Sequence, residues 1–251
     1  MADRAEMSTS FGAAADAYES GRPEYPREAV DWLLAPLRGD QRGQARALRV
    51  ADVGAGTGKL TRTLVEAGAE VVAIDPDPDM LAALRRTVHG VPTFLGTGER
   101  MPLPDGSLDA VTFGQAWHWV DPGAASREVA RVLRPGGVLG LIWNTRDERV
   151  DWVRRLTQIM HPSTAETMFA EGGPEARHPF DAFEREAWDW ERPIARSAFL
   201  DMVSSRSYIL TAAPDERERI LREVGELYDA VGGGGPVALP YRTEAFRGIR
   251  S

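Results

Sequence analysis

One stretch limits this chain more than any other. Asp52-Val-Gly-Ala-Gly-Thr-Gly-Lys-Leu-Thr61, DVGAGTGKLT, follows the apolar run Ala47–Val53 and sets glycines at 54, 56 and 58. An apolar strand running into a glycine-rich turn and then a helix is the opening unit of an α/β sheet, and the turn is where such sheets receive ligands. Glycine there lets the backbone approach a ligand where any Cβ would collide. A triphosphate loop needs a glycine five residues before Gly58, but Val53 stands there, and Leu60 after Lys59 offers magnesium no hydroxyl. A dinucleotide loop spaces its glycines G-x-G-x-x-G, so the third glycine is one residue early here. The carboxylate of Asp52 also disfavours a pyrophosphate and favours an amine or a sulfonium.

The pattern after residue 47 alternates strand and helix. Leu60, Leu64 and Val65 fall at helical spacing before Gly68, and Glu70–Ile74 reads as a second strand. Pro78 starts a helix carrying Met80, Leu81, Leu84 and Val88, and Thr93–Leu95 is a short strand. Leu108–Phe113 and Val138–Trp143 are further strands, separated by a helix over Ala124–Leu133 that Arg134-Pro135-Gly136-Gly137 ends. Repeated units of this kind imply a parallel sheet covered on both faces. Before it, Ser10–Ala17 and Arg27–Leu37 read as helices around a proline-bearing loop at Glu19–Pro26. After it, Arg149–Met160, Ala198–Ser207 and Asp215–Val231 read as helices. His161–Pro179 reads as irregular, Phe183–Trp190 as a strand, and Pro240–Ile249 as a last, antiparallel strand.

Asp75 ends the second strand. An ionised carboxylate has acceptors and no donor, so it can take both hydroxyls of a ribose, and it repels a 2′-phosphate. A ribose, no phosphate, a cationic sulfur and an ammonium together describe S-adenosylmethionine. DVGAGTG at 52–58, VVAID at 71–75, GTGERMPLPDGSLDAV at 96–111, QAWHWVD at 115–121 and VLRPGGVLGLIWN at 132–144 resemble class I S-adenosylmethionine-dependent methyltransferases of the small-molecule "type 11" kind. FGAAADAYESGRPEYP is similar to the cap that closes over the cofactor in that family. SRSYIL and LPYRTEAFRGIR resemble relatives of trans-aconitate methyltransferase.

The resemblance implies a three-layer α/β/α, Rossmann-like fold with a seven-stranded, mostly parallel sheet. An N-terminal helical cap over 1–46 precedes a cofactor-binding core over 47–160. Residues 161–251 supply substrate-lid helices and the last core strands, all within one catalytic domain. It implies S-adenosylmethionine as cofactor, S-adenosylhomocysteine as co-product, and no metal.

Site residues follow from strand ends and from the resemblance. Asp52, Gly54, Ala55 and Gly56 are expected under the methionine part of the cofactor, Asp75 with Pro76 at the ribose, and Met80, Gly98 and Glu99 near the adenine. Glu99 reads equally as a solvent-facing loop residue, and Met80 as a core methionine. Gln115, Ala116 and Trp117 end the fourth strand, where methyl and acceptor meet. Tyr18 and Arg22 in the cap are expected at the cofactor, Arg22 against its carboxylate. Tyr25, Trp119, Arg206 and Tyr208 are expected at the acceptor. His118 reads as a general base, as a hydrogen-bond partner of a substrate carboxylate, or as a structural histidine. The family's Asn/Asp-Pro-Pro-Tyr motif for amino methylation is missing from 115–119.

Composition narrows the partners. The formal charge of −8 gives little counterion-release energy on a nucleic acid, so a small-molecule substrate is expected and nucleic acid is not. No cysteine is present to form disulfides or thiolate metal sites. No signal peptide or membrane-length apolar run is visible, which predicts a cytoplasmic protein without a membrane partner, a monomer or homodimer. The expected reaction is methyl transfer to a small molecule, with oxygen or carboxyl acceptors favoured over carbon or nitrogen. The competing readings are a tRNA or protein methyltransferase and a non-catalytic S-adenosylmethionine-binding protein.

Overall fold

The computed structural model describes residues 22–39, 46–175, 177–180, 182–204, 206, 209 and 212–251. Seven strands, β1 (Arg49–Val53), β2 (Glu70–Asp75), β3 (Thr93–Leu95), β4 (Leu108–Gly114), β5 (Leu133–Arg146), β6 (Glu184–Ile194) and β7 (Val237–Ile249), form one sheet in the order β3-β2-β1-β4-β5-β7-β6. Pairing is parallel from β3 through β5, and β7 lies antiparallel to both β5 and β6. The strand order reverses at β1, so a crevice opens beyond the C-terminal ends of β1 and β4.

The described helices are α1 (Arg27–Arg38), α2 (Lys59–Glu66), α3 (Pro78–Thr87), α4 (Pro122–Val132), α5 (Asp151–Met160), α6 (Thr164–Ala170), α7 (Arg196–Ser204) and α8 (Pro214–Gly232). Strand periodicity splits the core into layers. Val50, Ala110, Val138 and Ile142 face α1 and α2, burying Leu33, Leu34, Leu60 and Leu64. Ala51, Val53, Val111, Leu139, Leu141 and Trp143 face the other way, against Ala125 and Val129 of α4. Leu33 and Leu34 are fully buried, each contributing about 1.5–3 kcal/mol of hydrophobic stabilisation. A third cluster joins α5, α7 and α8 to the ends of β6 and β7 through Leu156, Phe199, Val224, Leu239 and Tyr241.

The expected layers and the antiparallel last strand are present, with differences at three places. Residues 161–179, read as irregular, contain α6, which Ser163 and Glu166 start with reciprocal side-chain-to-backbone hydrogen bonds. The strand expected to begin at Val138 begins at Leu133, because Leu133 pairs with Leu108 before a register shift carries Arg134–Gly137 out of the ladder. It also continues to Arg146, since β7 pairs with it as far as Tyr241. The helix expected over Ser10–Ala17 lies outside the described residues.

Candidate active site

The turn after β1 is held in shape from below. The backbone N–H groups of Gly54 and Ala55 both donate to the Ile74 carbonyl, at 2.8 and 3.1 Å. Gly54 has φ +68°, and a Cβ there would sit 2.5 Å from the Cβ of Ala116, so side-chain-free backbone is required. Gly56, at φ +53°, faces open space on its Cβ side, leaving a cradle beside the turn.

Two carboxylates flank this cradle. Asp75 accepts the Gly56 N–H on Oδ2 at 2.8 Å and the Asp77 N–H on Oδ1 at 2.9 Å. It does not cap α3; Asp77 does, accepting from the Asp79 and Met80 amides. Burial raises Asp75 to about 6 against the lowering effect of those two amides. Asp52 is fully buried. Its Oδ2 accepts the Thr61 hydroxyl at 2.6 Å, and its Oδ1 has no hydrogen-bond partner among the described residues. Burial, with a smaller contribution from the Asp75 charge, raises Asp52 to about 7. A buried carboxylate oxygen without a donor is costly, and a cation or donor brought into the recess would relieve it.

The recess is narrow, about 40 Å³, and is lined by Arg22, Tyr25, Asp52, Gly54, Gly56 and Gln115, among others. Gln115 adopts φ +56°, a conformation costly outside glycine, and is held there by two contacts. Its N–H donates to the Ile142 carbonyl at 2.9 Å and its Nε2 to the Asn144 carbonyl at 2.6 Å. Asn144 then ties three elements together. Its Nδ2 donates to the Glu24 carbonyl at 3.0 Å, and its Oδ1 accepts the Thr243 hydroxyl at 2.6 Å. Thr243 in turn accepts Trp190 Nε1–H at 2.8 Å.

Other expected residues sit elsewhere. Gly98 backs onto Phe113 and Val120, and Glu99 accepts the Asp121 N–H at 2.8 Å. Met80 is buried on α3, and Pro76 follows Asp75 half-buried. Trp117 is 2% exposed and packs edge-on to Phe113 at 4.9 Å, while Ala116 packs beneath Gly54. Trp117 and His118 line a second cleft, against Pro162, Thr164 and Met168. Trp119 is half-buried against His118, ring to ring at 4.8 Å. His118 Nδ1 accepts Trp143 Nε1–H in a long contact of 3.3 Å. Arg206 lies by Glu166, whose other cation, Arg146, donates to it at 2.8 Å. Burial raises Glu166, but these two arginines outweigh it and hold the carboxylate below its usual range. Tyr18 and Tyr208 lie outside the described residues.

Residues 51–141 match the family described as a methyltransferase domain. Over 247 residues, 97% of each chain, the sequence is 48% identical to an "uncharacterized methyltransferase" of Mycobacterium tuberculosis. The chain belongs to the S-adenosylmethionine-dependent methyltransferases. This methyltransferase is also 32% identical to a methyltransferase-like protein of Schizosaccharomyces pombe, covering 98% of this chain and 97% of that one. Among solved structures, one described as a type II methyltransferase from Anaeromyxobacter dehalogenans superposes with a TM-score of 0.61 at 25% identity. That match covers 91% of this chain and 97% of the other. The Rossmann-like sheet of the methyltransferase is therefore the fold of its relatives.

Sequence reasoning assigned no role to Asn144, Thr243 or Trp190. For Asn144 a signal existed, since it is the polar residue closing the apolar run VLGLIWN. Trp190 reaches Thr243, and through it Asn144, only because β5, β7 and β6 lie side by side, which local pattern does not reveal.

Proposed function

We propose that the recess beyond β1 and β4 binds S-adenosylmethionine and that the protein transfers its methyl group to a small-molecule acceptor, with oxygen or carboxyl acceptors favoured. The observation that carries this reading is the pair of buried carboxylates on either side of an open glycine cradle. Asp75 keeps lone pairs for a sugar diol after accepting two amides, and the orphaned Oδ1 of Asp52 suits a cationic group. A ligand bearing phosphates would meet two acids here. When bound, S-adenosylmethionine supplies an electrophilic sulfonium methyl and a good leaving group, with S-adenosylhomocysteine as co-product.

The chain's own residues then position and exclude. Gln115, strained and doubly anchored, fixes the end of β4 beside the recess. Arg22 and Tyr25 close the recess from the cap loop and shield it from water. A carboxylate acceptor needs no base, so this arrangement is sufficient for it. The test is transfer of labelled methyl from S-adenosylmethionine to acids, phenols, amines and tRNA. Labelling of small acids or phenols supports the proposal. Tight S-adenosylhomocysteine binding with no transfer to any acceptor would reassign the protein as a non-catalytic binder.

A further inference from the structure

At about 40 Å³ the recess is far smaller than the roughly 300 Å³ or more that a cofactor-sized ligand fills, so a wall must move before such a ligand enters. The strand-end side is anchored, since Gly54 and Ala55 are bonded to Ile74, and Gln115 to Ile142 and Asn144. The cap loop over 22–26 belongs to no helix or strand. It crosses the strand ends closely enough that a Cβ on Gly114 would meet the Tyr25 hydroxyl at 2.9 Å. One tie holds it to α2, the exposed ion pair of Glu24 with Arg62, a kind of contact that contributes little. Another holds it to β5, where Asn144, 7% exposed, donates from Nδ2 to the Glu24 carbonyl at 3.0 Å.

The polarity of the network around Asn144 requires an amide there. Trp190 Nε1–H can only donate, and Thr243 Oγ1 accepts it at 2.8 Å. The hydroxyl hydrogen of Thr243 goes to Asn144 Oδ1 at 2.6 Å. That fixes the amide with Nδ2 toward the Glu24 carbonyl, which can only accept. An ionised carboxylate at 144 would keep the Thr243 bond and set acceptor against acceptor at Glu24. The bond from Gln115 Nε2 runs to the backbone carbonyl of Asn144, at 2.6 Å, so it does not depend on the side chain. The cap loop can therefore part from Asn144 while Gln115 keeps its place.

Resting on the cofactor reading above, we infer that Asn144 is a positioning residue that latches the cap loop over the recess and so sets how fast the cofactor enters and leaves. The latch is made in the closed protein whether or not the cofactor is bound. Its strength therefore largely cancels in the Kd and acts on both rates through the fraction of time the loop is open.

Binding of S-adenosylhomocysteine to the full-length protein, and its displacement, are followed by stopped-flow tryptophan fluorescence. In the wild type the observed binding rate should level off as ligand rises, because opening precedes binding. Asn144→Asp removes the Glu24 bond alone and should speed association and dissociation together, each by ~3–10-fold, with the Kd within about threefold of wild type. Asn144→Ala, which also frees the Thr243 hydroxyl, should do the same and serves if the first variant does not fold. A purely structural role would speed dissociation alone and raise the Kd in proportion, and that result would overturn the inference. Unchanged rates in both variants, or a wild-type rate that rises linearly to the highest ligand concentration, would overturn it as well. Failure of the wild-type protein to bind S-adenosylhomocysteine at all would instead refute the cofactor reading itself.

Discussion

Asp52 shows how much this site gives up for function. A carboxylate with no exposed surface and an unpartnered oxygen is a liability to the free protein. Burial raises Asp52 to about 7 and Asp75 to about 6, so both hold protons longer in the folded chain than in the unfolded one. Their stabilisation is therefore fully present below the unfolded carboxylate range and is lost as pH rises through about 6 and then about 7. A cationic ligand acts in the opposite direction, because it favours the ionised acids. Cofactor affinity is expected to rise between about pH 5.5 and 8, and calorimetry at half-unit steps checks it. Asp52→Asn keeps an acceptor for Thr61 and removes the buried charge. It should raise the melting temperature of the free protein at pH 8 while weakening cofactor binding and flattening its pH dependence. A mutant that loses stability at pH 8 would show that the carboxylate is not the burden described here.

At the scale of elements, two polar clusters hold the frame on which these residues sit. Asp109, 1% exposed, accepts both guanidinium nitrogens of Arg46 and the Arg49 N–H, and pairs with Arg134 at 2.7 Å. Burial raises its pKa, but these partners outweigh it and hold the carboxyl below its usual range. Its contribution is present above the usual carboxylate range and lost as pH falls through the depressed folded value. Asp109→Ala should cost about 1–3 kcal/mol at pH 7, less than for a fully buried pair because Arg46 and Arg134 keep contact with water. Urea denaturation at pH 7 measures it, and the difference from wild type should shrink in acid. At the opposite end of the sheet, Thr243→Val strands the Asn144 oxygen and the Trp190 N–H. It should cost about 1–3 kcal/mol and loosen the cap loop, read as faster hydrogen exchange over 22–26.

Much of the parallel half was legible because its information is local. Gly54 to Gly58 follow a strand and precede a helix, and Asp75 ends the next strand. The far half was less so. The ends of β5 depend on pairing with Leu108 and with Tyr241, residues distant in sequence. The approach of Trp190 to Asn144 through Thr243 depends on three strands lying side by side. Helix α6 was legible in principle, since Ser163 and Glu166 stand at capping-box spacing, but the surrounding glycines and prolines masked it. His118 was legible as a residue ending the fourth strand, yet its contact with Trp143 was not, since no local pattern links the two.

For the whole molecule, one sheet carries both the glycine turn after β1 and the antiparallel pair β7 and β6. The reversal of strand order at β1 places the recess, and the antiparallel addition of β7 and β6 brings Trp190 to Thr243 and so to Asn144 at its rim. No described helix is long and apolar enough to cross a membrane. The central claim is that two buried acids flanking a glycine turn make a site for a phosphate-free, cationic nucleoside. Calorimetric titration of wild type and Asp75→Ala with S-adenosylmethionine, NAD and ATP tests it most directly. One equivalent of S-adenosylmethionine should bind the wild type, the mutant Kd should be at least ~10-fold higher, and neither phosphate ligand should compete. Uptake of NAD or ATP without S-adenosylmethionine, or wild-type affinity in Asp75→Ala, would contradict the account.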